Sequence, residues 1–129
     1  MQNITRLFDF PYYQLKHHNL PDALVTKYGN EWVKTSTQEY INKANALSRA
    51  LLNLGIQKND KIAIISSNNR TEWHISDIGI LQTGAQNIPV YPTIASEDYE
   101  YILNHSEAKY CFVSDQEVYD KLKAVHSRI

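Results

Sequence analysis

Residues 61–66 read Lys-Ile-Ala-Ile-Ile-Ser, unbroken and apolar from Ile62 to Ile65 and rich in β-branched side chains, and no other stretch limits the fold as strongly. A strand with water on one face alternates apolar and polar residues, whereas a strand covered on both faces is apolar throughout, as in a parallel sheet. Two more strands are expected, at Asn87 to Tyr91 and at Lys109 to Ser114. Between them the pattern turns helical, from Thr71 to Thr83, closed by Gly84, and from Glu97 to His105, with Ser96 placed to cap it. A last helix is expected from Gln116 to His126, capped by Asp115. Strands alternating with helices of about ten residues predict right-handed βαβ crossovers, hence an α/β fold of parallel layers. Pro89 has no N–H to give to a ladder, which places a strand start, a bulge or a sheet edge beside it.

Upstream, Ser36 and Glu39 have capping-box spacing, in which hydroxyl and carboxylate each satisfy a free backbone N–H at a helix start. Tyr40, Ile41, Ala44, Leu47, Leu51 and Leu52 then recur at three- and four-residue spacing, one apolar stripe of a helix expected over Thr37 to Leu54. Gly55, free to take the left-handed conformation, stops it. Ala23 to Tyr28 and Trp32 to Lys34 read as an antiparallel hairpin turning at Gly29 and Asn30. Leu7 to His18 reads as a helix if Pro11 falls in its first turn, where a missing N–H costs nothing. Residues 1–19 otherwise carry the least regular pattern of the chain.

Composition narrows the classes of function. A chain of 129 residues is one ordinary domain's worth and buries about two-thirds of its unfolded surface without metal or disulfide. Cys111 is the lone cysteine, so no internal disulfide forms and a reducing, cytoplasmic compartment is expected. Thirteen basic and fourteen acidic residues, gathered in no block, leave a charge of -1 and no electrostatic case for nucleic acid. The opening MQNITRLFDF lacks the apolar stretch of a signal peptide.

Nucleotide and metal motifs are missing too. No GxGxxG follows the 61–66 run, no GxxxxGK[ST] occurs, and Gly29, Gly55, Gly79 and Gly84 are too scattered to cradle a phosphate. A phosphoacceptor domain needs acidic residues at its strand ends, where Ser67, Asn68 and Asn69 stand instead. His17 and His18 are adjacent and point apart, and His74, His105 and His126 have no second ligand at metal spacing. Cys111, inside an apolar strand, reads as a small buried hydrophobe.

Four stretches carry a resemblance. EWVKTSTQEY (Glu31 to Tyr40), IQKNDKIAIISSNNRTEW (Ile56 to Trp73), GAQNIPVYPT (Gly84 to Thr93) and YILNHSEAKYCFVSD (Tyr101 to Asp115) occur in this order. They resemble, in register from about Leu20 onward, the adenylate-forming enzymes, with Asn59 standing where that pattern has glycine. NNRTEW together with PVYPT looks most like the long-chain fatty acid CoA ligases. The resemblance implies a two-step reaction in which a fatty carboxylate and ATP give an acyl-adenylate and CoA then displaces AMP. ATP, Mg²⁺ and CoA are expected for the full-length enzyme and none for this stretch, because the phosphate loop, adenine motifs, hinge and catalytic lysine of such ligases lie downstream. Residues 1–129 are therefore expected to be an incomplete N-terminal subdomain of an AMP-binding ligase. It should be inactive alone, with the remainder of the same ligase chain as its partner.

No catalytic residue and no metal ligand is assigned. Arg70, Trp73, Tyr91, Pro92 and Thr93 are the candidates for contacting substrate or the rest of the ligase. The last three follow a strand's carboxyl end, the side where open α/β sheets bind ligands. Each also has a plain structural reading: Trp73, Ile78 and Leu81 fit a core stripe, and Arg70 fits a pair with a neighbouring carboxylate. Few helices to cover apolar strands predict self-association of the isolated chain. A cytoplasmic protein is expected, peripheral at the membrane in the full-length enzyme. The competing reading is a stand-alone flavodoxin-like α/β binding or interaction module.

Overall fold

A computed structural model describes residues 3–129; Met1 and Gln2, the start of the 1–19 segment, lie outside the described residues. In chain order the elements are α1 (Asp9–His17), β1 (Leu24–Tyr28), β2 (Glu31–Thr35), α2 (Thr37–Asn53), β3 (Lys61–Ile65), α3 (Thr71–Gln82), β4 (Gln86–Val90), α4 (Ser96–Ser106), β5 (Tyr110–Val113), α5 (Gln116–Lys123) and a 3₁₀ turn (His126–Arg128). The expected mixed α/β architecture, hairpin included, is what the chain adopts. It forms two compact units, one from the residues up to Gln57 with Arg70–Gly84, the other from Lys58–Asn69 with Ala85–Ile129.

The first unit is the hairpin with α1, α2 and α3. Gly29 has φ +60 at the first central position of a two-residue turn, and Tyr28 pairs with Glu31 across it. Glycine with positive φ at that position is the mark of a type II′ turn, which suits the right-handed twist of the strands. Pro11 is the third residue of α1, in the turn whose N–H groups have no partner inside the helix. Thr37 and α2 begin behind Ser36, whose hydroxyl accepts from the Glu39 N–H at 3.1 Å. The Glu39 carboxylate accepts from that same hydroxyl, at 3.1 Å, where the box pattern has it reach the cap's own N–H. At the other end Gly55 takes φ +91, and the N–H groups of Gly55 and Ile56 bond to Leu52 and Leu51. That is a Schellman closure.

Ile41, Ala44 and Leu51 of the expected stripe are buried, and Tyr40 and Leu47 are half-buried. Leu52 is 54% exposed, contrary to the stripe. The last residue of α3, Gln82, donates to Asn45 and Ser48 of α2. Leu51 in the last turn of α2 is buried at 1%, and Leu52, one residue and about 100° further round the helix, faces out. Gly79 lets α3 lie close: a methyl group there would sit 2.8 Å from Leu47 Cδ2 and 3.1 Å from the Ala44 carbonyl oxygen. The Ser48 hydroxyl bonds to the Gly79 carbonyl at 2.7 Å across this contact.

The second unit is a three-stranded sheet in the order β4-β3-β5 with α4 and α5. Both pairings are parallel. Ile62 through Ile65 of the central β3 are buried, as the 61–66 run requires. Ala63, Ile65, Val90, Tyr99, Leu103, Val118 and Val125 form one cluster that joins the sheet to both helices. Pro89 stands on an edge strand, one of the three expected placements. The Gln86 N–H donates to Asp60, so by alternation the odd-numbered positions of β4 turn their nitrogens outward, and the missing N–H costs the ladder nothing. Asn59 takes φ +69, the left-handed region that asparagine tolerates better than most side chains.

Expected boundaries shift at three helices: α1 begins at Asp9, two residues past Leu7, and ends at His17. Ala95, not Ser96, is the N-cap of α4, with no side-chain cap bond; Glu97 and Asp98 in its first turn meet the helix dipole instead. The last helix ends at Lys123, and the chain then tightens into the 3₁₀ turn that includes His126. The strands come out as Lys61–Ile65, Gln86–Val90 and Tyr110–Val113, within a residue of expectation at each end.

Leu51→Ala is expected to lower stability by about 2 to 5 kcal/mol through the cavity it leaves, and Leu52→Ala by less than about 0.5 kcal/mol; urea midpoints check both. Gly79→Ala gains about 1 kcal/mol of helix propensity but forces apart a backbone contact worth about 1 to 3 kcal/mol. A net loss is expected, read as a lower urea midpoint at unchanged slope.

Candidate functional site

Ligands of open α/β sheets sit beyond the carboxyl ends of the strands, and in the second unit all three strands end in short polar loops there. After β3 come Ser66 and Ser67, after β4 Tyr91, Pro92 and Thr93, and after β5 Ser114 and Asp115. The Ser67 N–H donates to the Ser114 hydroxyl at 2.9 Å. The Ser67 and Ser114 hydroxyls both donate to Asp115 Oδ2, at 2.6 and 2.8 Å, while Oδ1 caps α5 by accepting from the Val118 N–H at 3.0 Å. The Ser67 hydroxyl first, then the Val118 N–H and the Ser114 hydroxyl, hold the Asp115 carboxyl down at about 2. Ion and hydroxyls thus lock the end of β3 to the end of β5.

The β4 loop is held differently. The Tyr99 hydroxyl, on a side chain with no exposure, donates to the Pro92 carbonyl at 2.7 Å. Lys121 donates to the same carbonyl at 2.8 Å and to that of Ile94 at 2.6 Å, with its ammonium 5.0 Å from the centre of the Tyr99 ring. Tyr91 is left 78% exposed at the head of this loop. Thr93 is exposed and Pro92 half-buried beside it.

Arg70 and Trp73 lie in the first unit, at the start of α3. Arg70 Nε is 2.9 Å from Glu72 Oε2 and its guanidinium is 5.8 Å from the Tyr28 ring centre, so the carboxylate pair read from the sequence is present. Desolvation works to raise the Glu72 pKa, but the bonds from Arg70 and from the Tyr28 hydroxyl outweigh it and hold the group at about 2. Trp73 is half-buried, its ring edge-on to His74 at 5.5 Å. Arg70 offers no side-chain cap to α3; Thr26 of β1 does, accepting from the Thr71 N–H at 2.9 Å. That cap, and the Tyr99 and Lys121 tethers, were missed in the sequence because the partners stand 45, 7 and 29 residues apart with no local pattern to announce them.

Chemically the carboxyl edge is closed. Asp115 has both oxygens engaged, and desolvation pushes the half-buried Cys111 thiol up to about 11, far from a reactive thiolate. Among the described residues no group of three or more His, Cys, Asp or Glu could hold a metal ion. No helix among them is long and apolar enough to cross a membrane.

Residues 14–129 match the AMP-binding enzyme family. The chain belongs to that family. This AMP-binding enzyme chain is 36% identical over 81 residues to the long-chain-fatty-acid CoA ligase FadD15 of Mycobacterium bovis, covering 63% of its own length and 13% of the relative's. It is 30% identical over 118 residues to the long-chain-fatty-acid CoA ligase heimdall of Drosophila melanogaster, covering 88% of its own length and 17% of the relative's. In fold it is similar to the anthranilate CoA ligase AuaEII in complex with anthranoyl-AMP, with TM-score 0.82 at 20% identity, over 99% of this chain and 24% of that one. The chain thus spans less than a fifth of the curated relatives named here.

Asp115 makes a pH prediction. Its folded pKa lies below the ordinary carboxylate value, so its contribution to stability is present above pH about 4 and is lost as the pH falls towards 2. Asp115→Ala is expected to lower the Tm at pH 7, and the gap to the parent should narrow steadily between pH 4 and 2 in a thermal-melt series.

Proposed function

We propose that this chain is the N-terminal scaffold portion of a long-chain fatty acid CoA ligase, which joins a fatty acid to CoA at the expense of ATP, releasing AMP and pyrophosphate. The observation that carries the reading is the match to heimdall, in which 88% of the chain aligns at 30% identity with one relative of that named activity. In such a reaction the fatty carboxylate attacks the α-phosphate of ATP and expels pyrophosphate; the CoA thiol then attacks the acyl carbon and expels AMP.

The part of this stretch is positional. Its strand ends carry hydroxyls and a carboxylate bound to one another, and Lys121 of α5 is turned onto backbone carbonyls of the loop after β4. No glycine-rich loop is available to cradle a triphosphate. ATP, Mg²⁺ and CoA are therefore assigned to the remainder of the ligase chain, with which this stretch would pair. Tyr91, Pro92 and Thr93 are the residues proposed to face substrate or that remainder, with Arg70 and Trp73 as holding groups at the head of α3. A cytoplasmic enzyme, meeting the membrane at its surface to reach fatty acid, follows from this reading.

The isolated 129-residue chain is expected to release no pyrophosphate above blank with palmitate and ATP. The polypeptide encoded when the reading frame is followed past Ile129 is expected to do so in a fatty-acid-dependent way. A stop codon directly after Ile129, or release by the short chain alone, overturns the scaffold reading and favours a self-sufficient α/β module.

A further inference from the structure

We propose that Lys121 is a positioning residue for the acyl substrate: it locks the loop Tyr91–Ile94 into the shape against which the apolar chain of the fatty acid packs. The proposal rests on the ligase reading above and names the part of the substrate that this loop serves.

An ammonium group is usually met by water or by a carboxylate. Lys121, half-buried, instead gives two of its hydrogens to the Pro92 and Ile94 carbonyls at 2.8 and 2.6 Å, and the Tyr99 ring centre lies 5.0 Å from its ammonium. Carbonyl dipoles and a ring face compensate a partly desolvated cation only when they are held in place, so the contact rigidifies whatever carries those carbonyls. What carries them is the loop itself. The Tyr99 hydroxyl shares the Pro92 carbonyl at 2.7 Å, so that oxygen accepts from two residues on two different helices. Three bonds and one ring contact thus fix a loop of four residues that begins at the carboxyl end of β4.

The direction of the cation decides the ligand class. With the Lys121 charge turned inward, the loop offers no ammonium to a phosphate. Its outward side is the Tyr91 ring, 78% exposed, and Thr93. An exposed ring on a rigid loop gives contact area at low entropic cost, and it suits an apolar chain better than a triphosphate.

The test is steady-state kinetics in the full-length ligase with palmitate, ATP and CoA. Lys121→Met keeps the stem over Tyr99 and removes the ammonium; it is expected to raise the KM for palmitate about tenfold, with the KM for ATP and for CoA within about twofold of the parent. Tyr99→Phe removes only the shared bond and should raise the palmitate KM about threefold, while Lys121→Arg, which keeps a cation in reach of both carbonyls, should recover most of the loss. Backbone order parameters of the 129-residue chain give a second readout: Lys121→Met should lower those of Thr93 and Ile94, with β3 unchanged. A uniform rise in all three KM values, a fall in kcat alone, or loop order parameters that stay at the parent's values in Lys121→Met overturns the proposal. A parent polypeptide with no fatty-acid-dependent pyrophosphate release overturns the ligase reading and the acyl assignment with it. The order parameters still decide whether Lys121 holds the loop.

Discussion

β3 is hydrogen-bonded along both edges, and without it neither β4 nor β5 has a strand partner among the described residues. Its successive side chains are buried on both faces as well, and so it has to be apolar at every covered position. Ile62, Ala63, Ile64 and Ile65 meet that demand, and the polar residues begin only where the strand ends. The loops that matter for ligand contact inherit their positions from this strand. Ser67 reaches Ser114 and Asp115 because β3 and β5 run parallel and end level.

What was legible beforehand was what the chain encodes within a turn or two. Ser36 and Glu39, Gly55, the Gly29–Asn30 turn and Asp115 each act on neighbours a few residues away, and each does so in the structure. Asn59 shows the same locality from another side: a position with φ +69 favours glycine, and asparagine is among the few side chains that accept it. Leu52 failed because three- and four-residue spacing also admits a residue on the flank of a stripe, where Leu51 beside it already fills the buried face. Ser96 failed because a serine one residue inside a helix looks the same in sequence as a serine at its cap.

The position of the candidate loop was legible and its restraints were not. The carboxyl-edge location of Tyr91, Pro92 and Thr93 came from their place after a strand's last residue, whereas the groups that hold the loop come from α4 and α5. Arg70 was singled out as a charged residue near a strand-to-helix turn, and its charge is used locally, on Glu72 and the Tyr28 ring. No residue pattern here contains the proposed reaction, which rests on the named ligases, of which the chain covers less than a fifth.

Pro89 has a consequence for assembly. A strand approaching β4 from outside meets a ring where it needs a donor, so the sheet is blocked against growth on that flank. β5, the opposite flank, carries Tyr110, Cys111, Phe112 and Val113 and no proline. Like a polymer with one end terminated, the sheet has a polarity of extension: any further strand, from this polypeptide or another, has to be added beside β5.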